Sequence, residues 1–101
     1  MKILVIEDSV RLADTIAEAL QNENYVVDTA NDGQLGYEHA STGIYDMVIL
    51  DLMLPKMNGY EVLSALRRDG DNVPVLILSA KTEIDDKIQG FTTGADDYMT
   101  K

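Results

Sequence analysis

Five polar residues stand at the ends of apolar runs, and their side chains make chemical sense as a set. Glu7 and Asp8 follow Ile3-Leu4-Val5-Ile6, and Asp51 follows Met47-Val48-Ile49-Leu50. Ser79 ends the run from Val73 to Leu78, and Lys101 closes Asp97-Tyr98-Met99-Thr100. Three carboxylates brought together repel one another unless a cation joins them. Oxygen donors without cysteine or convergent histidine select a hard ion, Mg2+ or Ca2+. Mg2+ usually keeps waters and takes one or two carboxylates plus phosphate oxygens, which suits this set. A hydroxyl at Ser79 and an ammonium at Lys101 have no place in a bare cation cage. A phosphoryl group bound to the metal, to the hydroxyl and to the ammonium would satisfy every member.

Each residue also has a plainer explanation. Asp8 or Ser9 could cap the helix that follows, Asp51 could be an ordinary polar strand end, Ser79 could be another cap, and Lys101 could be solvated. Taken singly these are reasonable. They leave Glu7 unused, and they do not explain why all five residues fall at equivalent places along the chain.

Those places are set by an alternation of strand and helix patterns, which implies an α/β fold with a parallel sheet. Lys2 to Ile6 is a strand, continuously apolar from Ile3 on, as in a strand covered on both faces. Val10 to Asn22 carries Ala13, Ile16, Ala17 and Leu20 at helical spacing. Tyr25 to Ala30 is a more polar strand suited to an edge. Asp32 to Ser41 is a helix weakened by Gly33 and Gly36. Met47 to Leu50 is the third strand, and Gly59 to Arg68 is a helix with Val62, Leu63 and Leu66 on one face. Val73 to Leu78 is the fourth strand, where Pro74 is tolerable near the start. Ile84, Ile88 and Phe91 stripe a further helix, and Asp97 to Thr100 is the fifth strand. In a parallel sheet the five polar residues share the carboxyl edge, where ligands bind in open α/β folds.

Composition narrows the classes. The chain has 101 residues, one small domain's worth, with 46% hydrophobic residues. No apolar run approaches the ~18 residues that a membrane span needs, and the start is too short for a signal peptide's core. The expected location is therefore the cytoplasm. There is no cysteine, so disulfides and thiolate metal sites are excluded. A net charge of -10 repels nucleic acid phosphates, so this domain is not expected to touch DNA itself. The lone His39 is expected to be exposed and uninvolved.

Four segments resemble the receiver domains of two-component response regulators. They are Ile3-Leu4-Val5-Ile6-Glu7-Asp8, the run Asp51-Leu52-Met53-Leu54-Pro55-Lys56-Met57-Asn58-Gly59-Tyr60-Glu61-Val62-Leu63, Leu76-Ile77-Leu78-Ser79-Ala80, and Gly94-Ala95-Asp96-Asp97-Tyr98-Met99-Thr100-Lys101. Each is weak alone, but all four come in order and at matching spacing. The last is similar in wording to the OmpR/PhoB-like subfamily, whose members carry a DNA-binding domain after the receiver. The resemblance implies a flavodoxin-like (CheY-like) doubly wound sheet with strand order 2-1-3-4-5. That order is taken over from the family and not read from the residues.

The resemblance also implies roles. Asp51 would accept a phosphoryl group from a sensor histidine kinase. Asp8, Asp51 and the Met53 carbonyl would ligate Mg2+, with Glu7 acting directly or through water. Lys101 and Ser79 would hold phosphoryl oxygens, and Tyr98 would move as Ser79 moves. Lys87 and Asp97 match positions that contribute charged pairs to subfamily homodimers. The output would be transcription, through a DNA-binding domain outside this sequence. The family continues past this lysine with a proline and a last helix beside the first. Neither follows here, so the expected unit is a receiver of residues 1–101 with its last helix missing, unable to form the usual dimer and either less stable or completed by exchanging or sharing elements with a second copy. Three rivals weigh less. A flavodoxin-type cofactor binder would not place Glu7-Asp8 where a phosphate sits. A haloacid-dehalogenase-type phosphatase would carry its nucleophile after the first strand. A phosphorylation-independent pseudo-receiver would usually lack part of the acid, Ser and Lys set.

Overall fold

The computed structural model describes residues 1–79 and 97–100; Ser79 and residues 97–100 are described by their backbone alone. The five strands are β1 (Lys2–Ile6), β2 (Val26–Ala30), β3 (Met47–Asp51), β4 (Val75–Ser79) and β5 (Asp97–Thr100). They form one parallel sheet in the order β2-β1-β3-β4-β5, which matches the expected doubly wound topology. Three helices are described: α1 (Val10–Asn22), α2 (Gly33–Ala40) and α3 (Gly59–Arg68). The helix expected around Ile84, Ile88 and Phe91 lies outside the described residues.

The alternation of side chains along each strand divides the core in two. Leu4 and Ile6 of β1, Val48 and Leu50 of β3, and Val75 and Ile77 of β4 pack with Leu63 and Leu66 of α3. Ile3 and Val5, Ile49, and Leu78 face the other way, against Ala13, Ile16 and Leu20 of α1. Strands covered on both faces need apolar residues at every position, which is why β1 and β3 read as unbroken apolar runs. The polar strand β2 lies at the edge.

Element ends differ from the expected ones for local reasons. Tyr25 is not part of β2, because its amide donates back to the Leu20 carbonyl at 3.2 Å across the left-handed Asn24 (φ 70) and closes α1. Asp32 and Ser41 are the caps of α2 rather than members of it, with Asp32 in extended backbone and its carboxylate accepting from Leu35 N at 2.7 Å. Val73 stays outside β4, its amide bound to the Asp71 carboxylate at 3.0 Å and its carbonyl to the Arg67 guanidinium at 2.8 Å. β3 runs one residue further than expected, with Asp51 paired to Leu78.

The glycines of α2 are contact points. A Cβ on Gly36 would lie 2.6 Å from the Ile6 side chain, so α2 packs closely on β1 there. A Cβ on Gly33 would lie 1.5 Å from the Met57 carbonyl oxygen. His39, expected to be exposed, is half-buried in the last turn of this helix, and its Nδ1 is shielded from solvent.

Candidate functional site

Strand register builds the site. β1 and β3 pair with Ile3 opposite Met47 and Val5 opposite Ile49. Carried two residues on, the same rows bring Glu7 of the β1 end beside Asp51 of the β3 end. Both acids are 1% exposed. Asp8 is exposed, at the mouth of the site. One carboxylate oxygen from each of Glu7, Asp8 and Asp51 lies within 4.8 Å of the others.

Backbone bonds hold these acids in place. The Glu7 amide donates to the Ala30 carbonyl at 3.0 Å, and the Asn31 side-chain amide donates to the Glu7 carbonyl at 3.0 Å. The Ser9 amide donates to Glu7 Oε2 at 3.0 Å. Ser9, not Asp8, caps α1, its hydroxyl accepting from Leu12 N at 3.3 Å. The capping explanation of Asp8 therefore falls away, and its carboxylate is left to the cluster.

Asp51 Oδ1 accepts the Met53 amide at 3.3 Å, which turns the chain out of the strand. Met53 is itself 62% exposed. The loop that follows contains Lys56 in left-handed backbone (φ 68), and the Met57 amide donates to the Pro55 carbonyl at 2.8 Å. The loop ends at α3, where Asn58 and Glu61 cap each other reciprocally: Glu61 N donates to Asn58 Oδ1 at 3.0 Å, and Asn58 N to Glu61 Oε1 at 3.2 Å. Asp8, Met53, Leu54, Pro55 and Asn58 line a cleft of about 500 Å³ over the cluster.

The donor set suits a hard divalent cation. It consists of carboxylate oxygens close enough to share one ion, and two of the acids are buried, where like charges need compensation.

Comparison with known proteins agrees with this geometry. The family model for the response regulator receiver domain matches residues 3–101. The chain belongs to the response regulator receiver domain family. Among curated relatives, the transcriptional regulatory protein DltR of Streptococcus agalactiae is 46% identical over 101 residues, covering 100% of this chain and 45% of the relative. The transcriptional regulatory protein CusR of Escherichia coli is 40% identical, with 100% and 44% covered. The chain thus spans less than half the length of these relatives. The Francisella response regulator 1452 receiver domain superimposes with a TM-score of 0.91 at 35% identity, covering 99% of this chain and 83% of that one. The response regulator TrrA of Thermotoga maritima, solved in complex with Mg2+-BeF, has a TM-score of 0.88 at 31% identity, with 99% and 85% covered.

In this receiver domain the other expected site residues are placed less fully. Ser79 is the last residue of β4 and stands opposite Thr100 of β5. Tyr98 stands opposite Ile77 and Asp97 opposite Leu76. Lys87 and Lys101 lie outside the described residues. Reading by residue type overlooked Asn31, Gly33 and Asn58. A signal for Asn58 was present, since an Asn three residues before a Glu, ahead of an apolar helical stripe, is a helix-start pattern. No such signal existed for Asn31, whose partner Glu7 is 24 residues away.

Proposed function

We propose that this receiver domain, residues 1–101, accepts a phosphoryl group on Asp51 from a phosphohistidine of a sensor kinase and switches a transcriptional output. The observation that carries this reading is the convergence of Glu7, Asp8 and Asp51, with Asp51 almost fully buried at a strand end. Asp8, Asp51 and the Met53 carbonyl would hold Mg2+, with Glu7 acting directly or through water. Bound there, Mg2+ offsets the charge of the acids and of the incoming phosphoryl group.

The rest is done by the chain. A carboxylate oxygen of Asp51 forms the new O–P bond as the N–P bond of the phosphohistidine breaks. The electron pair of that bond stays on the imidazole. The Met53 amide donates to Asp51 Oδ1 and helps to fix the orientation of the carboxylate. Lys101 and Ser79 would take the phosphoryl oxygens, and Tyr98 would follow Ser79. A bias of a few kcal/mol suffices to invert such a two-state equilibrium. The domain would act as a switch and not as an enzyme with turnover on a separate substrate, although it assists its own phosphorylation and dephosphorylation.

The partners follow. The names of relatives such as DltR, CiaR and CusR, each a transcriptional regulatory protein, support an output on DNA through a further domain. The domain's own charge of -10 argues against direct contact with DNA. Lys87 and Asp97 would contribute to a homodimer. Among the described residues no helix is long and apolar enough to cross a membrane, which fits a cytoplasmic protein.

The test is incubation with a small acyl phosphate and Mg2+, followed by intact mass and site mapping. One phosphoryl group on Asp51, lost on chelation and absent in Asp51→Asn, is expected. Labelling that persists in Asp51→Asn overturns the assignment.

A further inference from the structure

We propose that the first turn of α2 is the seat of the phosphoacceptor loop, and that Gly33 tunes the Mg2+ affinity of the acidic cluster without touching it. This rests on the metal reading above and adds a positioning role to it. The loop from Leu52 to Asn58 carries Met53 and exposes Met53, Pro55 and Lys56 to solvent. Its tight turn places a non-glycine residue, Lys56, at φ 68. Such backbone persists only where its surroundings over-determine it.

The surroundings here are α2. The Gly33 amide donates to the Pro55 carbonyl at 3.2 Å. The Asp32 carboxylate caps α2 through Oδ1 and meets Lys56 Nζ at 3.7 Å through Oδ2. The Met57 carbonyl occupies the space that a side chain at residue 33 would need. An added Cβ would lie 1.5 Å from its oxygen and 2.5 Å from its carbon. Both are backbone atoms and cannot rotate aside. Any residue larger than glycine at this position must push the loop off its seat by more than an ångström. Mg2+ demands near-ideal octahedral geometry and tolerates little displacement of its ligands. Neighbours that orient metal ligands typically change affinity by about 10–100-fold when altered.

The experiment is calorimetric titration of the whole chain with MgCl2, comparing wild type, Gly33→Ala, Leu20→Ala and Lys56→Met. Gly33→Ala is expected to bind Mg2+ about tenfold more weakly or worse. Leu20→Ala, at the far end of α1, lowers stability and should keep wild-type affinity, so a general loss of stability does not mimic the effect. Lys56→Met decides by sign, also where Gly33→Ala does not fold. Removing a positive charge near a cation site strengthens cation binding by charge alone, whereas loosening the seat weakens it, here by about twofold for a pair whose lysine is exposed and whose aspartate is partly buried. Equal affinity in folded Gly33→Ala, or equal or tighter binding in Lys56→Met, overturns the inference while leaving the metal reading intact. A wild type that takes up no Mg2+ overturns both.

Discussion

Gly59 packs against the backbone of Asp51 so closely that a Cβ on it would lie 2.3 Å from the Asp51 carbonyl oxygen and 2.7 Å from Leu52 Cα. The Gly59 amide also donates to the Leu52 carbonyl at 2.9 Å. The start of α3 and the end of β3 are therefore one unit. Gly59→Ala has no flexible neighbour to displace, so it should cost about 1–3 kcal/mol, as overpacking does. Urea unfolding measures this. Under conditions where the variant is fully folded, its phosphorylation by a small phosphodonor should still be slower than wild type, because Asp51 has shifted. A variant as stable and as reactive as wild type would show that the contact is slack.

Charge in the cluster gives an expectation that depends on metal. At about 4 Å, two unit charges repel by about 1 kcal/mol in water and about 4 kcal/mol near a protein surface. Asp8 is exposed, so the lower figure applies. With EDTA present, Asp8→Asn should raise unfolding stability by about 1 kcal/mol. With Mg2+ in excess the order should reverse, because a ligand stabilises in proportion to how tightly the folded state holds it. Thermal melts with and without Mg2+ check both halves. Stability that does not respond to Mg2+ in either protein would count against the cation site.

The reciprocal caps of α3 are worth a double-mutant cycle. Asn58→Ala removes the side-chain acceptor for Glu61 N and should cost about 1 kcal/mol. Glu61→Ala removes the partner bond to Asn58 N. The two bonds share one turn, so the double variant should lose less than the sum of the singles. Additive losses in urea would mean that the two caps act independently.

How much of this was readable in the residues depends on distance along the chain. The sheet was legible because strands buried on both faces cannot carry polar residues until they end. The first polar residues after β1, and the one that ends β3, are therefore the cluster itself. Strand order was not legible from pattern and came with the family. Gly33 and Gly36 read as weak points of a helix, because local propensity does not register Met57 and Ile6, which they approach across 24 and 30 residues of chain. Capping explains why Asp32, Ser41 and Tyr25 flank their elements: each uses backbone or side-chain groups to close a helix. The left-handed Lys56 was equally invisible, since nothing in its type favours that backbone.

Tyr45 provides a pH test remote from the site. Its hydroxyl donates to Asp28 Oδ2 at 2.7 Å, and Lys2 Nζ lies 3.8 Å from the same carboxylate and 5.6 Å from the Tyr45 ring centre. Burial, and then the bond to the Asp28 carboxylate and its negative charge, push the Tyr45 hydroxyl up to about 12. The unfolded chain has an ordinary tyrosine near 10. The folded state therefore holds this proton more tightly than the unfolded state does. The resulting stability is fully present below about pH 10 and is lost as pH rises toward about 12. Tyr45→Phe has no proton to lose. It should be less stable than wild type at neutral pH, by about 1 kcal/mol for the missing hydrogen bond. It should also show a flatter fall in stability between about pH 10 and about pH 12, so the two proteins converge there. Denaturant titrations at several alkaline pH values measure the gap. A gap that stays constant from neutral pH to pH 12 would mean that neither burial nor the bond to Asp28 raises the proton affinity of this hydroxyl.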